Sequence, residues 1–183
     1  MRVHTFQQRV LVPRQPHEVF PFFSDPFNLD AITPPWLDFR IVTPPPIEMR
    51  VGTLIDYRLK VRGIPLRWRS KITAWEPPHR FVDEQVAGPY RLWIHEHTFE
   101  TSDGGTLIGD RVRYAVPFDF VLNTLFVRRD VAKIFAYREE RLEEVFAVAR
   151  ESGATSRAKP APGDAAKRSA PGEERGGSAR RAE

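Results

Sequence analysis

The segment Arg91-Leu-Trp-Ile-His-Glu-His-Thr-Phe99 is followed shortly by Leu107-Ile-Gly-Asp-Arg-Val-Arg-Tyr114. Asp103-Gly104 lies between the two segments. Asp-Gly favours a two-residue β-hairpin turn, because a type I′ turn needs a positive φ angle at both central residues. The stretch therefore predicts two antiparallel strands joined by a tight turn.

The predicted register places polar side chains on an aromatic face. In this register His97 lies opposite Asp110, and Trp93 lies opposite Tyr114. The two arginines of the second strand point to the other face, so the aromatic face is the buried one. Because side chains alternate along a strand, the residues that share this face are Trp93, His95, His97, Phe99, Asp110, Val112 and Tyr114. Two imidazoles and a carboxylate are thus predicted in the interior.

The composition fits one folded domain without disulfide bonds. The chain has 183 residues, enough for a substantial core, and no cysteine. The lack of cysteine excludes disulfide and thiol chemistry and is consistent with a reducing compartment. No apolar run approaches the roughly 20 residues of a membrane span, and the N-terminal segment lacks the apolar stretch of a signal peptide. We therefore expect a cytoplasmic location and no transmembrane segment.

Most of the net charge of +4 lies in a C-terminal tail. From Ser152 to Glu183 the chain is almost entirely Ala, Gly, Pro, Ser, Arg, Lys and Glu, with seven basic and four acidic residues. Such a segment buries too little surface to offset its ordering entropy. We predict a folded domain at residues 1–151 and a disordered tail at residues 152–183. Since the domain itself is close to neutral, we predict no specific nucleic-acid partner.

The remaining sequence predicts several further strands, two short helices and a long terminal helix. Apolar residues recur at helical spacing from Val131 to Ala149, and Arg138 is the one interruption. Asp130 is the predicted cap of this helix; an alternative is Asp119, at the start of a helical lead-in over 118–127. The further predicted strands are Phe6–Val12, Phe39–Val42, Thr53–Arg62, Leu66–Trp75 and Arg80–Val86. One short helix is predicted at His17–Phe23, bent or cut at Pro21, and a second begins at Pro26 and is capped by Asp25. The predicted connections include an extended Thr33–Leu37 and a hairpin loop at Gly63–Pro65.

This order of elements is an α+β plan, and its motifs resemble those of the SRPBCC superfamily, which includes START-type domains and polyketide cyclases. The motifs are Pro16-His-Glu-Val-Phe20, Ser24-Asp-Pro26, Thr33-Pro-Pro-Trp-Leu37, Trp75-Glu-Pro-Pro78, Gly88-Pro-Tyr90, His95-Glu-His97 and Phe135-Ala-Tyr-Arg138. Together they are similar to the bacterial ligand-binding branch. The resemblance implies a helix-grip fold, in which a curved antiparallel sheet of six to seven strands wraps around a long C-terminal helix and an elongated cavity, with two short helices after the first strand. It implies no particular ligand.

In such a fold Asp83, His95, His97 and Asp110 come together on the concave face of the sheet, and Arg138 faces them from the helix; we call these five residues the polar cluster. A buried polar group without a partner costs about 2–7 kcal/mol. One interpretation is an internal network that only fixes the sheet, with His97 bonded to Asp110 and Asp83 bonded to Arg138 or His95. The other is that the cluster anchors the polar end of a ligand.

The two neighbouring histidines also raise the question of a metal. On one strand face they lie about 6.6 Å apart, and Asp110 could be a third ligand. No cysteine reinforces the set, and the other histidines are placed elsewhere, with His4 in a strand, His17 in a helix and His79 in a turn. The sequence therefore predicts no metal and no cofactor.

Together these observations predict a protein that binds a mostly apolar small molecule or lipid in an internal cavity. The aromatic residues of the inner face are either packed core or cavity walls. The predicted ligand-binding residues are Tyr57, Trp68, Phe81, Asp83, Trp93, His95, His97, Asp110, Tyr114, Phe135 and Arg138.

Two alternative functions remain open. A polyketide cyclase- or dehydratase-like enzyme would use His95 or His97 as general acid or base, with Asp110 or Asp83 orienting the imidazole and Arg138 stabilising an enolate. An interaction module would instead use the basic outer face of the sheet and the tail to bind a partner.

Overall fold

The computed structural model describes the backbone of residues 1–117 and 126–155. It describes side chains as far as residue 147 within these ranges. Seven antiparallel strands form one sheet in the order β1-β7-β6-β5-β4-β3-β2. The strands are β1 (His4–Val12), β2 (Arg40–Ile41), β3 (Leu54–Val61), β4 (Ile64–Glu76), β5 (Arg80–Ala87), β6 (Leu92–Ser102) and β7 (Gly105–Ala115). The helices are α1 (Pro16–Ser24), two 3₁₀ helices (Pro26–Ile32 and Pro35–Leu37) and α2 (Arg128–Thr155). The predicted α+β helix-grip architecture is confirmed.

The hairpin that opened the sequence analysis has the predicted register. Ser102 pairs with Gly105 around the Asp103-Gly104 turn, and His97 pairs with Asp110 further along the ladder. The arginines at positions 111 and 113 are exposed on the convex face, whereas the alternate residues of β7 are buried. Asp25 caps the first 3₁₀ helix as expected, because its carboxylate accepts a hydrogen bond from the Phe27 backbone N–H at 3.0 Å.

The hairpin between β3 and β4 differs from the prediction. A three-residue loop at Gly63–Pro65 was expected. The turn is instead Arg62-Gly63, with positive φ angles of 51° and 80° as a type I′ turn requires, and Ile64 already pairs with Val61. This short turn still pairs Tyr57 with Trp68 on the concave face.

Prolines lie within α1 and within the 3₁₀ helix Pro35–Leu37. The connection Thr33–Leu37 is not fully extended, since Pro35–Leu37 forms a 3₁₀ turn, whose φ angles suit the proline ring as well as an extended chain does. Helix α1 runs through Pro21 without a break. In a helix of nine residues, the proline removes a single intrahelical hydrogen bond.

Helix α2 presents the predicted apolar stripe to the sheet. Val131, Phe135, Leu142 and Phe146 are buried, and so is Arg138 between them. The helix begins at Arg128, so Asp130 lies inside the first turn and not at the cap position. The helix continues to Thr155, past the expected domain boundary at 151. The lead-in at 118–125, with the alternative cap Asp119, and the tail from residue 156 lie outside the described residues.

The interior between sheet and α2 contains two hydrophobic clusters with the polar cluster between them. One packs α1 against the sheet and the C-terminal half of the helix and includes Phe20, Phe99 and Leu142. The other surrounds the N-terminal half of the helix and includes Tyr114 and Phe135. The buried residues His95, His97, Asp110 and Arg138 lie where the two clusters meet. The fold therefore places charged groups in the middle of the interior and not at its edge.

Gly105 offers a test of how tightly the hairpin packs on β1. Its φ angle is +148°, and a Cβ atom there would lie 2.0 Å from the Val12 carbonyl oxygen. Gly105→Ala should therefore lower the free energy of unfolding by about 3 kcal/mol or more, because the backbone of β1 must move. Gly104→Ala is the matched control: its φ is +97° with nothing within 4 Å, and its cost should be about 1 kcal/mol. Denaturant unfolding measures both, and equal losses would contradict the packing argument.

Candidate functional site

A cavity of about 460 Å³ lies between the concave face of the sheet and α2. Nine of the predicted binding residues line it: Tyr57, Trp68, Phe81, Asp83, Trp93, His95, His97, Phe135 and Arg138. Asp110 and Tyr114 do not line the cavity, although they lie on the same face of the sheet and are buried. The structure therefore separates residues that face the cavity from residues that support them.

Several wall residues were not predicted. Leu37, Phe39 and Met49 belong to connecting segments, which carry no periodic pattern that would assign them to an inner face. Tyr90 also lines the cavity and packs against Trp93, with ring centroids 4.7 Å apart. The apolar residues of β3 and β4 alternate with charged residues along each strand, and this pattern assigns them to the inner face.

Aromatic rings form much of the wall on either side of the polar cluster. Trp68 and Trp93 meet edge to face at 5.2 Å. Phe81 stacks on His97 with ring centroids 4.1 Å apart and lies between that imidazole and the packed core around Phe99. Tyr57, opposite Trp68, keeps its hydroxyl protonated, since burial and the nearby Asp83 raise its pKa.

Asp110 supports both histidines from behind the cavity wall. His95 Nε2 and Asp110 Oδ1 are 2.8 Å apart and form a buried hydrogen bond. His97 Nδ1 lies 3.0 Å from the same oxygen but lacks the alignment of a hydrogen bond. The network interpretation paired Asp110 with His97, its partner in register. The hydrogen bond instead runs diagonally across the ladder to His95.

Asp83 faces both histidines from the cavity side. Its Oδ2 lies 3.4 Å from His97 Nε2 and 3.7 Å from His95 Nδ1. Its Oδ1 accepts from the Ser70 hydroxyl at 3.3 Å, and Ser70 Oγ in turn accepts from Trp68 Nε1 at 3.0 Å. Within the part of the chain that the structure describes, no ion pair joins Asp83 to Arg138, which the network interpretation had also allowed.

The charges in the polar cluster depend on one another. Burial opposes the ionisation of Asp110, but Arg138 and the two histidines hold its pKa well below the usual value. Burial also opposes the ionisation of Asp83, and contacts with His97 and His95 lower its pKa. Burial and the neighbouring His97 lower the pKa of His95 to about 4. Burial pushes the pKa of His97 down as well, but Asp110 and Asp83 outweigh it and raise that pKa above its usual value.

Arg138 carries a buried donor without a hydrogen-bond partner. Its side chain is 9% exposed and lines the cavity, and its Nε has no hydrogen-bond partner. The guanidinium lies 5.8 Å from the ring centroids of both Phe23 and Phe135. A buried donor without a partner is costly, so this group is available for a ligand or for water.

Comparisons with known proteins agree with this architecture. The family model described as polyketide cyclase / dehydrase and lipid transport matches residues 3–164. The chain belongs to this family. The family lies within the SRPBCC superfamily, so the resemblance seen in the sequence is confirmed. No curated protein matches the chain.

Solved structures show the same fold at low sequence identity. A protein from Chromobacterium violaceum superposes with a TM-score of 0.63 at 13% identity, over 78% of this chain and 96% of that one. Ara h 8.0201 gives 0.58 at 18% identity, over 80% and 99%. The major latex-like protein 151 from Panax ginseng gives 0.59 at 11% identity, over 79% and 97%.

Among the helices in residues 1–117 and 126–155, none is long and apolar enough to cross a membrane.

Proposed function

We propose that this protein binds a mostly apolar small molecule or lipid in the cavity and anchors the polar end of that ligand at the polar cluster. The observation that carries the proposal is an aromatic-walled cavity that is also lined by a buried guanidinium with an unpartnered donor. Ligand pockets of about 300–1,000 Å³ typically combine apolar walls with a few convergent polar groups. The cavity, at about 460 Å³, falls within that range.

The family supports the same function at a coarser level. Its description joins cyclase and dehydrase activity with lipid transport, and lipid transport involves binding of a mostly apolar molecule. We further propose a cytoplasmic location, because a chain without cysteine suits a reducing compartment. We propose no specific nucleic-acid partner, since the basic face of the sheet is partly neutralised by the ion pairs Arg69–Asp56 and Lys60–Asp38.

Native mass spectrometry tests the proposed function. The wild-type chain, purified under mild conditions, should carry a co-purified small molecule that organic extraction releases. The extracted compound should rebind with a stoichiometry of one per chain. A chain that never retains a ligand and takes up none of the apolar compounds in a host-cell extract would contradict the proposal.

A second candidate function is acid–base catalysis of the cyclase or dehydratase kind. It is favoured by the hydrogen bond between His95 and Asp110, the arrangement in which a carboxylate orients an imidazole. In this function His95 would move a proton and Asp110 would act as a positioning residue. Replacing a general base typically lowers the rate about 10²- to 10⁴-fold. A His95→Gln variant that keeps ligand affinity but loses turnover of a polyketide-like substrate on this scale would favour catalysis over binding alone.

A further inference from the structure

The nitrogens of His95 and His97 that face away from Asp110 converge on one oxygen of Asp83. His97 Nε2 lies 3.4 Å and His95 Nδ1 lies 3.7 Å from Asp83 Oδ2, longer than the usual 2.7–3.2 Å, roughly, of a hydrogen bond. One potential ligand atom from each of the three residues falls within 4.8 Å of the others. The three side chains therefore point toward a common position without bonding well to one another.

These separations match those between ligands of one metal ion. Histidine nitrogens and carboxylate oxygens bind zinc at about 2.0–2.1 Å, so two ligands at a tetrahedral ion lie roughly 3.3–3.4 Å apart. The observed 3.4 Å corresponds to this distance, and the observed 3.7 Å needs only a small side-chain rotation. Two histidines and one carboxylate are also a common donor set for divalent transition metals.

The residues behind these three provide the supporting contacts that metal ligands usually have. The Asp110 carboxylate accepts from His95 Nε2, which leaves the lone pair of His95 Nδ1 toward Asp83. The same carboxylate lies 3.0 Å from the far nitrogen of His97. Ser70 donates to the other oxygen of Asp83. Each of the three side chains is thus held from its far side.

The burial and charge of the site also favour a cation. His97 is 3% exposed, and its Nδ1 has no hydrogen-bond partner. Asp83 and Asp110 place two carboxylates next to the two imidazoles, and both carboxylates lie within 3.7 Å of a histidine nitrogen. Asp83, His95 and His97 all line the cavity, so a bound ion would have room for a further oxygen ligand from that side.

We propose that Asp83, His95 and His97 bind one divalent first-row transition metal ion, such as zinc, at the inner end of the cavity. This goes beyond the proposed function, because the ion would bind whether or not an apolar ligand is present. It also departs from the expectation from the sequence, which predicted no metal and considered Asp110 as the third ligand. The structure gives that role to Asp83 and places Asp110 behind the histidines.

Titration of the chelator-treated wild-type protein tests the proposal. Isothermal titration with Zn²⁺ should show one ion per chain with a dissociation constant below the micromolar range. Co²⁺ should produce the intense visible absorption bands of tetrahedral coordination, and Zn²⁺ should abolish them. Absence of saturable binding of both ions to the folded wild-type protein would overturn the proposal, whatever the variants do.

Variants then assign the site. Asp110→Asn should weaken Zn²⁺ binding about 10- to 100-fold, the usual effect of losing an outer partner, and Asp83→Asn should weaken it further. His17→Gln and His79→Gln are the controls, since both side chains are exposed, whereas the three proposed ligands line the cavity. Zn²⁺ should raise the melting temperature of the wild type and of both controls but not of Asp83→Asn. Equal affinity in wild type and Asp83→Asn, or loss of binding in a control, would overturn the assignment.

Discussion

Arg138→Met should weaken ligand binding by about 10-fold or more while the free energy of unfolding stays the same or rises. Charged hydrogen bonds contribute about 1.5–3 kcal/mol, and 1.4 kcal/mol corresponds to a factor of ten in affinity. Methionine keeps much of the volume of the Arg138 side chain. The substitution breaks no hydrogen bond of Arg138 Nε, because this atom has no partner. Asp110 loses the nearby charge of Arg138 but retains its hydrogen bond from His95, which continues to stabilise the carboxylate.

Arg141→Met is the matched control on the same helix. Arg141 bonds to the Ala31 carbonyl oxygen and to Glu144 near the surface and does not line the cavity. Titration with dansyl-labelled undecanoic acid, or with the co-purified compound, measures affinity, and urea denaturation measures stability. If the cluster were only a structural network, Arg138→Met would instead lose about 1–3 kcal/mol of stability with unchanged affinity.

The second large effect concerns the boundary between core and cavity. Phe99→Ala should cost about 3–5 kcal/mol of unfolding free energy, because Phe99 is 1% exposed and in edge contact with Phe20 and Phe23. Trp68→Ala removes a larger ring but should cost no more than about half as much. Trp68 lines an existing cavity, so its removal enlarges a space that water can enter.

The effects of the same two variants on ligand affinity should have the opposite order, with the larger loss in Trp68→Ala. Trp68→Ala should weaken the affinity for dansyl-labelled undecanoic acid, because the wall of the cavity loses an aromatic surface. Phe99→Ala should leave that affinity nearly unchanged wherever the variant is folded. Equal stability losses in the two variants would mean that the space beside Trp68 is packed core.

Much of the fold could be read from local signals. The Asp103-Gly104 turn determines the register of its hairpin, and that register places His95 and His97 on the inner face. The spacing of apolar residues from Val131 onward identifies the face of α2 that packs on the sheet and shows that Arg138 lies on it. These predictions succeeded because turn chemistry and periodicity depend on neighbours in sequence.

The details of the site depend on contacts that are distant in sequence. Asp130, expected to cap α2, forms a bidentate ion pair with Arg62 in the β3–β4 turn, with distances of 2.8 and 2.9 Å. Asp110 bonds diagonally to His95, although its partner in register is His97. Pairing fixes only the backbone positions, whereas the direction in which each side chain leans depends on packing from α2 and the neighbouring strands. Sequence periodicity carries no information about the packing from α2 or about the packing from the neighbouring strands.

We propose that the space between the sheet and α2 binds one mostly apolar molecule. Native mass spectrometry of the wild-type chain with increasing dansyl-labelled undecanoic acid tests this most directly. We predict a single additional mass that saturates at one molecule per chain. The Arg138→Met variant should need a probe concentration at least about 10-fold higher to reach the same occupancy. A chain that stays at its own mass, or that adds molecules in an unsaturated series without a preferred first one, would contradict the claim.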